Sequence, residues 1–160
     1  MSNPVNDWKH FDVSDSTFKV KTLGLLEIFS MAATFYNKKL RAEIKEEADE
    51  YFGDHPEQRL PFIMDGRKNM PKGKALESAT LMYVGTDECQ IEFAAYALSR
   101  FNKSKLPTKE DAILLYNKMS EVDKLDLIKC IYAEINATID KGIANKKGDS
   151  GEGTGDVKKP

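Results

Sequence analysis

Two cysteines, two histidines and one tryptophan in 160 residues leave little material for redox, metal or imidazole chemistry. Cys89 and Cys130 lie far apart in apolar helical contexts. They read as two buried thiols, because a disulfide or metal pair wants closer spacing or partner histidines. His10 neighbours Trp8 and Phe11, and His55 sits among prolines. Neither has a His, Cys or carboxylate at metal-ligand spacing, so no metal is expected. No stretch approaches the ~18 uninterrupted apolar residues of a membrane span, and MSNPVNDWKH carries no apolar secretory core. The expectation is a cytoplasmic protein, in the host cytoplasm if the chain is viral. No charge sign dominates: 24 Lys and Arg against 26 Asp and Glu give −2, and nothing global draws the chain to phosphate backbones or anionic lipid.

Catalytic signatures are also missing. Gly148, Gly151, Gly153 and Gly155 follow no strand and open no helix, so they form no phosphate cradle. No nucleophile elbow or Ser/His/Asp arrangement is visible. The densest carboxylate group, Glu46, Glu47, Asp49 and Glu50, lies among lysines on an exposed face, without the burial that tunes a general acid. A helix-turn-helix over 87–119 would offer the groove only Lys109 and Lys118 against Glu110 and Asp111. No catalytic residue and no cofactor are assigned. The expectation is not an enzyme but a chain that binds protein, with self-association left open.

What is present is helical periodicity. Residues 10–22 alternate around Ser14-Asp15-Ser16, with Phe11, Val13, Phe18 and Val20 on one face, and predict a short β-hairpin. Leu25, Phe29, Ala32, Tyr36, Leu40, Ile44, Ala48 and Tyr51 step by three and four, widened by Leu26, and predict a helix over 24–52. Its charged far side reads as a solvated face. Further helices are expected at 72–84, 88–101, 109–119 and 121–141. Asp87-Glu88-Cys89-Gln90 reads as a capping box, and Thr108-x-x-Asp111 and Ser120-x-x-Asp123 open the last two. The segment with Ile91, Phe93, Ala94, Ala95, Ala97 and Leu98 is apolar nearly all round and belongs at the centre. The last stripe is Leu125, Ile128, Ile131, Tyr132, Ile135 and Ile139. The predicted fold is mainly α: a single domain over 1–142, a bundle of about five helices with an N-terminal hairpin.

Two segments break the pattern. After Gly142, residues 143–160 carry almost no apolar side chains and four glycines, and read as a disordered tail. Residues 54–74, with Pro56, Pro61, Pro71 and Asp65-Gly66 as a turn, read as a long proline loop. That loop holds Leu60, Phe62, Ile63 and Met64 directly before Arg67 and Lys68. The cluster either tucks back onto the long helix or anchors a partner, since apolar side chains beside fixed charge suit an anchor with a polar rim. These six residues are the candidate partner-binding site.

The words IEFAAYALSRFNKSKLPTKEDAILLYNKM and DKLDLIKCIYAEI, with the leading FKVKTLGLLEIFSMAATF, resemble tail assembly chaperones of long-tailed bacteriophages. In that group an apolar helix often ends in a basic residue and a short proline-containing turn, and a Thr-x-Glu-Asp-like cap opens the next helix. The resemblance implies a non-enzymatic role, shielding the tape-measure protein and recruiting tail-tube subunits before polymerisation. It also implies two lengths made by a ribosomal frameshift, for which Asn145-Lys146-Lys147-Gly148 is a candidate. Two other classes stay open: a small regulatory or inhibitory protein that binds a host enzyme, and an enzyme whose site is assembled from scattered residues.

Overall fold

The computed structural model describes residues 7–149. Its first element is the expected hairpin: β1 (Lys9–Val13) pairs antiparallel with β2 (Ser16–Val20), Phe11 opposite Phe18 and Val13 opposite Ser16. Ser14 takes a φ of 55° in the two-residue connection, the left-handed conformation such tight hairpins demand. Phe11, Val13, Phe18 and Val20 are all buried. A hairpin alone is marginal, and this one is held by β2 lying along helical neighbours.

Seven helices follow among the described residues: α1 (Leu25–Phe52), α2 (Pro56–Lys68), α3 (Gly73–Val84), α4 (Asp87–Phe101), α5 (Lys109–Lys118), α6 (Glu121–Ile131) and α7 (Ala133–Asp149). The fold is mainly α, as the periodicity predicted, but the five expected helices became seven for two reasons. The proline loop is largely helix α2. The single helix expected over 121–141 breaks at Tyr132, where the Ile131 carbonyl accepts from the Leu23 amide at 3.2 Å and leaves the helical ladder. Leu23 is buried beside that break, and the α7 residue Glu134 accepts from the Leu25 amide at 3.2 Å, capping α1 from outside. The entry to α1 is thus wedged into the α6–α7 joint.

Helix α4 is the centre. Cys89, Phe93, Ala94, Ala95, Ala97 and Leu98 are buried on it, and it packs against α5, α6 and β2. Ile91, expected in the same stripe, is exposed, as are Leu26, Tyr51, Leu125 and Ile139. The cap of α4 also differs by one residue. Thr86, not Asp87, accepts from the Cys89 amide, and its hydroxyl donates to the Tyr83 carbonyl at 2.7 Å. Asp87 then occupies the first turn, where its charge still suits the helix dipole. The Thr108 and Ser120 caps stand where the spacing put them.

Asn102, at the end of α4, ties the hairpin to the bundle. Its amide nitrogen donates to the Lys19 and Leu98 carbonyls, each at 2.9 Å, and its oxygen accepts from the Lys19 amide at 3.0 Å. Helix α7 continues through Gly142 to Asp149, so the break in texture at Gly142 is not a break in structure. The rest of the expected tail, from residue 150, lies outside the described residues.

Candidate functional site

Helix α2 forms despite its prolines because of where they stand. Pro56 occupies the first helical position, where its missing N–H would be unpaired anyway. Pro61 forfeits a bond to the Glu57 carbonyl, but on an exposed flank where water replaces it. Asn69 closes the helix with its N–H on the Asp65 and Arg67 carbonyls. Asp65-Gly66, expected as a turn, is helical. Gly66 is instead the contact point with α1: a Cβ there would lie 2.9 Å from the Ile44 Cγ2. Its absence lets the two helices approach closely.

The face of α2 turned to α1 runs Arg59, Phe62, Ile63 and Gly66, at helical spacing. Ile63 is 9% exposed, and Arg59 pairs with Asp49 of α1. On one flank Phe62 joins an aromatic cluster, 5.4 Å from Phe52 and 6.4 Å from Tyr51. On the other flank Leu60 is 61% exposed and Met64 54% exposed. Arg67 and Lys68 are exposed in the last turn, where positive charge complements the helix C-terminus.

Between that second flank and α1 lies a groove of about 430 Å³. Leu60 and Ile63 of α2 and Ala42 of α1 supply its apolar surface, and Arg41, Lys45, Arg59 and Arg67 supply its charge. Among the described residues no carboxylate lines it. Neither alternative for the sequence cluster survives whole: Ile63 and Phe62 tuck back onto α1, while Leu60, Met64, Arg67 and Lys68 stay outside. Arg41 and Lys45 were missed, having been read as part of a solvated face. Their signal was a row of cations, Lys38, Arg41 and Lys45, at three- and four-residue steps with no acid between them on that face.

A larger cleft of about 530 Å³ opens between α1 and α4, over Phe35, Ala95 and Tyr96. Its charges are mostly answered from within. Arg100 pairs with Glu27, which also accepts from the Tyr96 hydroxyl at 2.9 Å, and Lys109 pairs with Glu92 at 2.6 Å. Lys38 and Lys103 of this cleft form no ion pair among the described residues, but Glu92 stands in the lining beside them, whereas the lining of the α1–α2 groove holds cations without a carboxylate, Arg59 alone pairing outward with Asp49.

The buried titratable groups cluster around α4. Burial pushes the Cys89 thiol from 9.0 up to about 11, and pushes the Tyr83 and Tyr132 hydroxyls well above the ordinary phenol range. The Tyr132 hydroxyl faces Cys89 but falls short of hydrogen-bond geometry. A thiol held protonated in this way is a poor nucleophile. Acids whose folded pKa is raised stabilise the fold only while the unfolded chain also keeps its protons. The melting temperature should therefore hold up to about pH 8 and fall as pH passes 9 toward 11. Cys89→Ala should remove part of that slope. A profile flat to pH 11 would contradict the assignment.

Among the described residues no group of three His, Cys, Asp or Glu side chains is placed to hold a metal ion, and no helix is long and apolar enough to cross a membrane. His10 and His55 are both exposed. Comparison with known proteins returns no match: no family model, no curated protein and no solved structure matches the chain.

Proposed function

We propose that this chain is a non-enzymatic protein-binding factor of the host cytoplasm, a bacteriophage tail assembly chaperone that engages tail structural proteins before they polymerise. The observation that carries protein binding is the outer flank of α2. Leu60 and Met64 stand exposed one helical turn apart, and Leu60 borders a groove in which Arg41, Lys45 and Arg67 form no ion pair among the described residues. Exposed apolar side chains rimmed by charge are the make-up of an interface anchor. The chaperone reading rests on the resemblance of the α4–α6 words to that group.

The test is a search of the neighbouring genes for tape-measure and tail-tube proteins, followed by co-expression and binding to the purified proteins. Leu60→Ser with Met64→Ser should weaken binding at least tenfold, about 1.4 kcal/mol, with circular dichroism and melting temperature unchanged. Phe62 is left alone in this variant because it packs on Phe52. Binding that survives the double change places the contact elsewhere. No binding to either tail protein removes the chaperone reading.

A further inference from the structure

We propose that the occupant of the α1–α2 groove is an acidic, aliphatic-rich peptide segment of the partner protein. This deepens the reading of α2 as the contact face and rests on it. Four cations line the groove, and only Arg59 meets an acid, Asp49. Arg41, Lys45 and Arg67 form no ion pair among the described residues. Three like charges left together on a chain of net charge −2 repel one another until carboxylates arrive to answer them.

The surface between those cations is aliphatic: Leu60, Ile63 and Ala42. A partner that gains from both features must carry carboxylates flanking Leu, Ile or Val side chains. Charge would then steer the encounter, while the aliphatic contact slows release. A nucleic acid fits less well. Single strands stack on aromatic side chains, the groove has none, and the negative chain as a whole repels a polyanion. The neighbouring cavity toward α4 shares Ala42 but is lined by Glu43, Glu46, Glu88 and Glu92, so an acidic segment is confined to the α1–α2 groove.

The test uses a display library of short random peptides, selected on the full chain. Enriched sequences should combine Asp or Glu with Leu, Ile or Val. Their affinity should drop about tenfold or more in the variant Arg41→Glu with Arg67→Glu, and several-fold as salt rises from about 50 to about 500 mM. Arg41→Gln with Arg67→Gln, a milder change that keeps the stems, should give an intermediate loss and guards against misfolding. Peptides that depend on Leu60 and Met64, but show no acid enrichment and ignore the charge changes, would leave the contact face standing and sink this inference. Peptides indifferent to both sets of substitutions would sink the two together. Tighter binding of single-stranded RNA than of any selected peptide, or self-association abolished by the charge reversal, would also overturn it in favour of those occupants.

Discussion

Leu98→Ala should lower the unfolding free energy by about 2–5 kcal/mol, a large share of the ~5–15 kcal/mol that holds a domain of this size. Leu98 is fully enclosed on α4, which packs against α5, α6 and β2 of the hairpin. Truncation there removes transfer energy and leaves a cavity that several elements must close at once. Leu98→Met, which conserves volume, should cost less than about 1.5 kcal/mol. Urea denaturation of the three proteins measures this directly. A midpoint unchanged by Leu98→Ala would mean that α4 is not the centre of the core.

Asn102→Ala should cost about 2–4 kcal/mol, more than any exposed polar residue here, because it strips the backbone of β2 of two partners. The Lys19 amide and carbonyl, whose bonds to Asn102 are half-buried, would be left without the side chain that serves them, each at a penalty toward the lower part of the roughly 1–3 kcal/mol range. The loss should show first in the hairpin. Trp8 stands edge-on to Phe101 at 5.4 Å, under the Lys19 ammonium at 4.6 Å, and its fluorescence reports whether the strands stay docked. A variant with normal stability and an unchanged Trp8 spectrum would show that the hairpin is held by its apolar face alone.

Asn102 also marks a limit on what the sequence reveals. Nothing in Arg100-Phe101-Asn102-Lys103 announces a side chain bonded to a strand more than eighty residues earlier, since that partnership exists only after the hairpin lands. Local signals fared better. The hairpin alternation, the long helix and the Thr108 and Ser120 caps depend on neighbours within a few residues and were legible in advance. The break at Tyr132 was not, because its cause is the Leu23 amide claiming the Ile131 carbonyl. Burial on α1 was half legible: Ala32 and Ala48 lie inside, but Ile28 is the large side chain that α1 buries fully, while Leu26 on the predicted stripe faces solvent.

Residues 54–74 carry the sequence signals of a loop, yet Pro56–Lys68 is a helix. Pro56, Pro61 and Asp65-Gly66 are turn signals in isolation, yet each fits a helix that rests on another helix. Pro56 starts it, Pro61 lies on its wet side, and Gly66 makes room for Ile44. The candidate residues were therefore found with the wrong backbone. Leu60, Met64, Arg67 and Lys68 do face outward, but Phe62 and Ile63 hold α2 down. The site gained Arg41 and Lys45 from α1, a contribution visible only once the two helices are side by side.

That pairing of α1 with α2 is the physical basis of the functional claim, and hydrogen exchange on the chain with and without the tape-measure protein tests it most directly. Amides of α2 over Pro56–Lys68 and of the adjoining turns of α1 around Arg41 and Lys45 should exchange more slowly in the complex, and the Leu60→Ser, Met64→Ser variant should show no such protection. Protection confined to the exposed Val122–Leu125 surface of α6, with α2 unchanged, would contradict the account.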